Sequence, residues 1–332
     1  MRKLVTIEQV LEKKPIEGAD KIEAIRIRDW WVVSQKDNFQ LGDRCLFHEV
    51  DSFLPIRPEY EFLLKGSSKK RMIVDGKQVE GIRLKTIKLR GQISQGLALP
   101  IHSEYMQPIG YDMTELLGVK LYEPPMPAEL AGKVKGFFPS FIPKTDEERI
   151  QNMSDILSNY YVTEKLDGTS VTYFKKDGVF GVCNRNLELA EGDTTQWKIA
   201  KKLDLATKLP DNFAIQGELI GEGIQKNPLK RTGQEIFCFN AYNIANGIYL
   251  NFKDFIGFCD SLGIRTVPLI NDNYSLPSTV DELLKFADGN SLLNPECPRE
   301  GIVIRPKVEM RYNNKRLSFK VISNSYLLKN DA

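Results

Sequence analysis

Short runs of alternating apolar and polar residues dominate the first third of the chain. Lys21-Ile22-Glu23-Ala24-Ile25-Arg26-Ile27 and Trp30-Trp31-Val32-Val33 read as strands, and Phe39-Gln40-Leu41-Gly42-Asp43 interrupts them as a bend. Strands of this length separated by turn residues predict a small β-barrel over residues 1–122. Further on, Val171-Thr172-Tyr173-Phe174 and Val179-Phe180-Gly181-Val182-Cys183 flank Lys175-Lys176-Asp177-Gly178, a hairpin signal. Helical spacing appears where Phe252, Phe255, Ile256, Cys259 and Leu262 form a stripe stopped by Gly263. It appears again where Thr279-Val280-Asp281-Glu282 offers a capping box to Leu283, Leu284 and Ala287. Lys144-Thr145-Asp146-Glu147-Glu148-Arg149 reads as a further helix start, its acidic residues near the positive end of the dipole. Glu123-Pro124-Pro125-Met126-Pro127 breaks regular structure, which sets a proline-rich linker at 123–130 and a second domain, mixed α and β with largely antiparallel sheet, at 131–332.

Composition narrows the class. The 332 residues, 42% of them hydrophobic, can fill more than one core. Lys and Arg total 46 against 44 Asp and Glu, a net charge of +2, so any nucleic-acid contact must use local patches. Cys45, Cys183, Cys238, Cys259 and Cys297 show no C-x-x-C spacing and no paired framework, which argues for reduced, structural thiols in an intracellular, cytoplasmic chain. His48 and His102 are the only histidines, so a histidine metal site and a histidine triad are both disfavoured, and His48 reads as a strand residue. The first residues lack the apolar core of a signal peptide and no apolar run reaches the roughly 18 residues of a membrane span.

Candidate chemistry concentrates after residue 160. Tyr160-Tyr161-Val162-Thr163-Glu164 delivers Lys165 and Asp167 to a bend permitted by Gly168. Asn184-Arg185-Asn186 ends the second hairpin strand, where Arg185 suits either phosphate recognition or a solvated strand end. Strand-borne Glu218, after Gly217, either faces a closely approaching ligand or is an edge carboxylate. Phe237 and Phe239 share a face, suited to stacking on a purine or to core packing. Glu300 opens the β-branched run Gly301-Ile302-Val303-Ile304-Arg305, and alternation in Leu317-Ser318-Phe319-Lys320-Val321-Ile322 points Lys320 away from the apolar face. No G-x-x-x-x-G-K-[ST] sequence is present.

Taken in order, Lys165-x-Asp167-Gly168, Gly217-Glu218-Leu219, Phe237-Cys238-Phe239, Glu300-Gly301-Ile302-Val303-Ile304-Arg305 and Ser318-Phe319-Lys320 resemble the motifs of covalent nucleotidyltransferases, the superfamily of polynucleotide ligases and RNA capping enzymes. Asn184-Arg185-Asn186 resembles the extra arginine motif of RNA ligases. Gly18-Ala19-Asp20-Lys21-Ile22-Glu23, the aromatic strand after it and Gly42-Asp43 resemble the opening of OB-type domains, and the segment from Arg83 to Gly96 resembles the OB domain of Deinococcus-type RNA ligases. DNA ligases and capping enzymes carry an OB domain after the last lysine motif; here the OB candidate comes first, an order that favours the ATP-dependent RNA-ligase branch. The fold class implied is α+β, an N-terminal OB-fold β-barrel followed by a nucleotidyltransferase domain. Many relatives have Lys-x-Lys in the last motif, whereas this chain has Ser318, leaving Lys320 with Lys315 and Arg316 nearby.

The resemblance implies that Lys165 attacks the α-phosphate of ATP to form lysyl-AMP, that AMP passes to a 5′-phosphate end, and that a 3′-hydroxyl displaces it. A free lysine, with a pKa of about 10.4, is neutral in only about one molecule in a few thousand at pH 7. A divalent cation about 5 Å away at an effective dielectric of about 20 would oppose the ammonium by roughly 6 to 7 kcal/mol, enough to favour the amine. Asp167, Glu218 and Glu300 are the residues implied for Mg2+ or Mn2+, directly or through water, with Glu218 alternatively on the ribose. Lys320 would hold the α-phosphate, Arg185 a phosphate, Phe239 the adenine and Glu164 the edge of the base pocket. Arg83, Arg90, Lys144 and Arg149 are candidates for phosphate or nucleic-acid contacts, with a solvated charged face as the other reading. RNA, or an RNA-containing nicked duplex, is the expected partner. A capping-type guanylyltransferase and a noncatalytic OB-containing RNA-binding protein are the alternatives, and nothing in the sequence sets the oligomeric state.

Overall fold

The computed structural model describes residues 2–65, 68–102, 105–124, 132–145, 147–152, 160–312 and 315–330. The chain divides into two units, Met1–Pro127 with Leu327–Ala332, and Ala128–Tyr326. In the first, the strands run β1 (Val5–Pro15), β2 (Ile22–Ile27), β3 (Trp30–Gln35), β4 (Arg44–His48), β5 (Ser52–Pro55), β6 (Lys70–Val74), β7 (Lys77–Arg83), β8 (Thr86–Leu89), β9 (Gln92–Gln95), β10 (Leu97–Pro100) and β11 (Lys120–Leu121). They order as β10-β4-β1-β2-β3 and β11-β5-β7-β6, with β8 and β9 as a separate hairpin.

β1 turns the barrel corner. Its Val5–Gln9 half pairs with β4 and its Val10–Pro15 half pairs with β2, and the register slips between Val10 and Glu12. Such a bulge bends the strand and lets one segment serve two neighbours. The alternating residues then close on Ile7, Leu46 and Leu54 in one cluster and on Ile25, Ile27, Trp30 and Phe47 in another. His48 is fully buried, bonded to the Tyr60 hydroxyl at 3.0 Å, and burial pulls its pKa down to about 4. It is a strand residue, as its sequence context implies.

The second unit contains β12 (Val134–Phe137), β13 (Glu148–Arg149), β14 (Tyr160–Lys165), β15 (Thr169–Lys176), β16 (Val179–Cys183), β17 (Leu187–Leu189), β18 (Phe213–Gly221), β19 (Gln234–Asn243), β20 (Ile248–Tyr249), β21 (Leu269–Tyr274), β22 (Gly301–Pro306), β23 (Arg311–Tyr312), β24 (Lys315–Arg316) and β25 (Phe319–Ile322). Its helices are α1 (Thr195–Lys202), α2 (Leu205–Lys208), α3 (Phe252–Leu262) and α4 (Val280–Ala287), and α5 (Asn324–Asn330) follows β25. One sheet runs β12-β17-β16-β15-β18-β19-β20 and the other β13-β25-β22-β14-β21; β23 and β24 pair apart from both. Among the named strands the ladders are antiparallel except between β13 and β25, and an isolated parallel bridge joins Cys238 to Thr266.

Local signals account for much of this. Asp177 and Gly178, at φ +52° and +77°, make the turn between β15 and β16. α3 ends on Gly263 in the left-handed region, and α4 carries the full Thr279–Glu282 capping box. α1, α2 and α3 cover one sheet through Trp197, Leu205, Phe255 and Cys259, while α4 covers the other through Val280, Leu283 and Ala287. A third cluster, Leu166, Ile220, Phe237 and Val267 with Phe239 against it, joins residues that follow or belong to strands of both sheets.

Some expectations need correction. Among the described residues of Lys144–Arg149 no helix begins: Glu148–Arg149 is β13, parallel to β25, and a 3-10 turn at Ile150–Asn152 follows. Strand pairing and a buried ion pair at Glu147 override the local preference for a helix start. Asp146 lies outside the described residues, as does the linker from Pro125 onward. Asn184-Arg185-Asn186 is the turn between β16 and β17 rather than a strand end, and Asn184 Oδ1 accepts from the amides of Asn186 and Leu187.

Candidate active site

Lys165 is the last residue of β14, and the bend begins after it at Leu166. Register sets its neighbour: Lys165 lies opposite Gly301 of β22, which brings Glu300 alongside. Lys165 Nζ donates to both Glu300 carboxylate oxygens at 2.7 Å. Gly168 then lets the chain approach β18, since a Cβ there would sit 2.1 Å from the Leu219 carbonyl oxygen. Gln225 Nε2 donates to the Gly168 carbonyl at 3.0 Å and holds the bend. Glu218, on β18 opposite Ser170, reaches the same locus.

The charges of this cluster are unevenly matched. Burial disfavours the Lys165 ammonium, but Glu300, then Glu218 and Asp167, hold its pKa above the ordinary lysine value. Burial pushes Glu218 up to about 8; Lys165 opposes the rise, and Glu300 and Asp167 add to it. Burial likewise raises Glu300, again with Asp167 adding and Lys165 opposing. Lys320 also acts on Glu300, which sets it in the electrostatic reach of the cluster. Its neighbours Phe319 and Val321 are buried while Lys320 is half-buried, as alternation requires. Among the described residues no three His, Cys, Asp or Glu side chains already converge as a metal cage.

Glu164 points into the opposite side of β14 and is 1% exposed. Its Oε2 accepts from the Leu292 amide at 2.8 Å, while Oε1 is buried with no hydrogen-bond partner among the described residues. Burial raises its pKa against the pull of Ser291 and that amide. Phe239 is half-buried against Phe237, and its carbonyl accepts from Arg305 Nη1 at 2.6 Å.

Arg305 is a hub that the sequence does not single out. Besides Phe239, it donates Nε to Ser318 Oγ at 2.8 Å and Nη2 to Glu147 Oε1 at 2.7 Å, and its side chain is 3% exposed. The guanidinium thus ties β19, β22, the residue before β25 and the residue before β13. Ser318, at the position where a second lysine is common, faces this hub. Arg316 is committed elsewhere, to Glu309, to Asn240 Oδ1 at 2.7 Å and to the Tyr249 ring at 3.7 Å, so it does not supply a second site cation.

Arg185 is exposed on its turn, and Lys144 Nζ donates to Asn186 Oδ1 of that same turn at 3.1 Å. Arg149 is buried in β13, its backbone opposite Lys320. In the first unit, Arg83 pairs with Asp51 at 2.7 Å and Arg90 is exposed at the β8–β9 turn. Sequence reasoning missed Tyr326, whose hydroxyl donates to Asp167 Oδ2 at 2.5 Å across 159 residues of chain. A tyrosine in a helix carries no local mark of such a contact.

Comparison with known proteins agrees with this architecture. A model of an OB-fold domain matches residues 4–101 and an RNA ligase model matches residues 158–322. Among solved structures, a Naegleria gruberi RNA ligase variant with AMP and Mn is 38% identical, with a TM-score of 0.86 and coverage of 99% of each chain. Naegleria gruberi RNA ligase with PPi is 37% identical, with a TM-score of 0.84, covering 100% of this chain and 99% of the other. Another variant of that ligase, with ATP and Mn, is 37% identical with a TM-score of 0.85 and 99% coverage of each chain. No curated protein matches. The chain belongs to the RNA ligase family.

Proposed function

We propose that this protein is an ATP-dependent RNA ligase that joins 3′-hydroxyl and 5′-phosphate ends, with Lys165 as its AMP-bearing nucleophile. The observation that carries the reading is the Lys165–Glu300 pair, both oxygens at 2.7 Å, beside Asp167 and Glu218. In the first step Lys165 Nζ bonds to the α-phosphorus of ATP and the bond to pyrophosphate breaks. Lys165 rests as an ammonium, so it must first lose a proton, and the Glu300 carboxylate oxygens, both hydrogen-bonded to Nζ, are in reach to take it. The 5′-phosphate of the nucleic acid next takes AMP from Lys165, and the 3′-hydroxyl then displaces AMP to form the phosphodiester. Each step is phosphoryl transfer that depends chiefly on positioning and charge.

Other residues fill roles that their surroundings support. Lys320 opposes charge on the α-phosphate, Phe239 stacks on adenine, and Glu164 Oε1 accepts from the exocyclic amine that distinguishes adenine from guanine. Arg185 and Lys144 form a second cationic locus for phosphate. Arg83, Arg90 and the buried Arg149 are the weaker candidates for phosphate or strand contact.

The carboxylates fit a divalent cation, since Glu218 and Glu300 are both raised by burial and crowding that Lys165, with Lys320 acting on Glu300, does not relieve. Asp167, Glu218 and Glu300 would hold Mg2+ or Mn2+, directly or through its hydration shell. When bound, such an ion neutralises the carboxylates and lowers the affinity of Lys165 for its proton.

The domain reading is an OB-fold domain at 1–122, a linker at 123–130 and a nucleotidyltransferase domain at 131–332. An RNA-containing nicked duplex is the proposed substrate, in the cytoplasm, where five free and buried cysteines stay reduced. Among the described residues no helix is long and apolar enough to cross a membrane.

The test is incubation of the full chain with α-labelled ATP and Mg2+ or Mn2+, followed by mapping of the acid-labile label. Label on Lys165, absent in Lys165→Met, is expected. Label that persists in Lys165→Met would sink the covalent mechanism, and labelling by GTP in place of ATP would turn the reading to a guanylyltransferase.

A further inference from the structure

The segment that follows the last lysine motif is fastened to the site at both ends. The Ser323 amide donates to the Glu300 carbonyl at 2.9 Å, so the chain leaves β25 already tied to the partner of Lys165. Ser323 Oγ donates to Asp288 Oδ1 at 2.5 Å, Ser325 Oγ donates to the same oxygen at 3.0 Å, and the Tyr326 amide donates to Ser323 Oγ at 3.1 Å. These bonds fix the first turn of α5 against the end of α4. Tyr326 is 6% exposed, and its hydroxyl lies 2.5 Å from Asp167 Oδ2.

That last contact has a directional consequence. Asp167 sits between Lys165 and Gly168, on the bend that β18 closes over, and its charge acts on Lys165, Glu218 and Glu300. A hydroxyl donating to an ionised carboxylate makes a short, charge-assisted bond that orients the acceptor. With Oδ2 engaged by Tyr326, Oδ1 is the oxygen left to act toward the cluster. Ser323 and Ser325 hold the helix start to Asp288, which anchors the tyrosine end of the bond. Groups that orient a ligating carboxylate in this way govern metal affinity without touching the metal.

We propose that Tyr326 is a positioning residue for lysine adenylylation: it fixes the Asp167 carboxylate so that one oxygen serves the divalent-cation shell beside Lys165. The proposal rests on the ligase reading above, and it makes the first turn of α5 part of the site.

The experiment uses the full chain as wild type, Tyr326→Phe, Asp167→Asn and the double variant. Mn2+ binding is followed by electron paramagnetic resonance without ATP, and single-turnover labelling of Lys165 is followed across ATP concentrations. Tyr326→Phe is expected to weaken Mn2+ binding and to slow labelling at saturating ATP, each by about 10- to 100-fold, with the ATP concentration for half-saturation nearly unchanged. The double variant should be no worse than Asp167→Asn, because the tyrosine acts through that carboxylate. Wild-type affinity and rate in Tyr326→Phe would overturn the proposal while leaving the ligase reading in place. Additive losses in the double variant, or loss of fold in Tyr326→Phe, would overturn it by showing a general structural role. A wild-type chain that takes no label would remove the ligase reading, and the proposal with it.

Discussion

Glu147 and Glu218 are carboxylates of the same unit, both withdrawn from water, yet the first is held down to about 2 and the second is pushed up to about 8. Burial works against the charge of each. Around Glu147 the guanidiniums of Arg305 and Arg316 overcome it, assisted by Ser318. Around Glu218 the Lys165 ammonium is shared with Glu300 and Asp167, and burial prevails. One locus is electrically complete and holds strands in place. The other is short of positive charge, which suits a site whose cation and nucleotide arrive from outside.

The largest effect should come from breaking the incomplete locus at its ion pair. Glu300→Ala removes the proton acceptor of Lys165 and one of three carboxylates, and labelling of Lys165 should fall by about 100-fold or more. Its folding stability, read by chemical denaturation, should fall less than in a variant that breaks the Arg305 hub, because burial already disfavours the Glu300 charge and Glu218 and Asp167 remain to oppose the Lys165 ammonium. Normal labelling would remove Glu300 from the mechanism.

The complete locus should respond in the opposite sense. Arg305→Ala removes the guanidinium paired directly with Glu147 and leaves Ser318 Oγ and the Phe239 carbonyl without their donor, so a stability loss of about 3 to 5 kcal/mol is expected in urea denaturation. Labelling should decline too, through displacement of Phe239 and of the strand that carries Lys320. A loss below about 1 kcal/mol would show that the hub is not a fully desolvated pair.

Acid and base should separate the two carboxylates. The folded pKa of Glu147 lies below its ordinary value, so its contribution is present above about pH 4.5 and is lost as pH falls toward 2. The folded pKa of Glu218 lies above its ordinary value, so the folded state binds the extra proton and stability declines as pH rises from about 4.5 to 8. In metal-free buffer, thermal melting of Glu218→Gln should be flatter than wild type across pH 5 to 8, with its acid limb unchanged. A wild-type slope in that variant would show that Glu218 is ionised throughout the range.

Those two loci differ as well in how legible they are from sequence. Lys165, Asp167, Glu218, Glu300 and Lys320 fall in short ordered motifs, and local rules found the Asp177–Gly178 turn, the Gly263 stop and the Thr279 capping box. The partners within the site are 135 residues apart for Lys165 and Glu300 and 158 for Arg305 and Glu147. Periodicity and capping act over one turn or one strand and carry no information at that range. For the same reason Lys144–Arg149 looked like a helix start: its acidic residues are locally suited to a helix terminus, whereas Glu147 is matched to a guanidinium far along the chain.

Ser318 gives the smallest effect and the sharpest separation between the loci. Its hydroxyl accepts from Arg305 Nε at 2.8 Å and is buried, with Phe319 turned into the core beside it and Lys320 turned toward Glu300. A lysine at 318 would set a second cation against the guanidinium, so at this position the chain uses an acceptor. Ser318→Ala leaves one charged donor unmatched, for which about 1 to 3 kcal/mol of stability should be lost. Lys165 labelling should stay within about threefold of wild type, because Arg305 keeps its bonds to Phe239 and Glu147 and the adenylylation cluster is untouched. A drop of the size expected for Glu300→Ala would instead mean that Ser318 belongs to the Lys165 locus, and that the separation between the complete and incomplete charge clusters does not hold at β25.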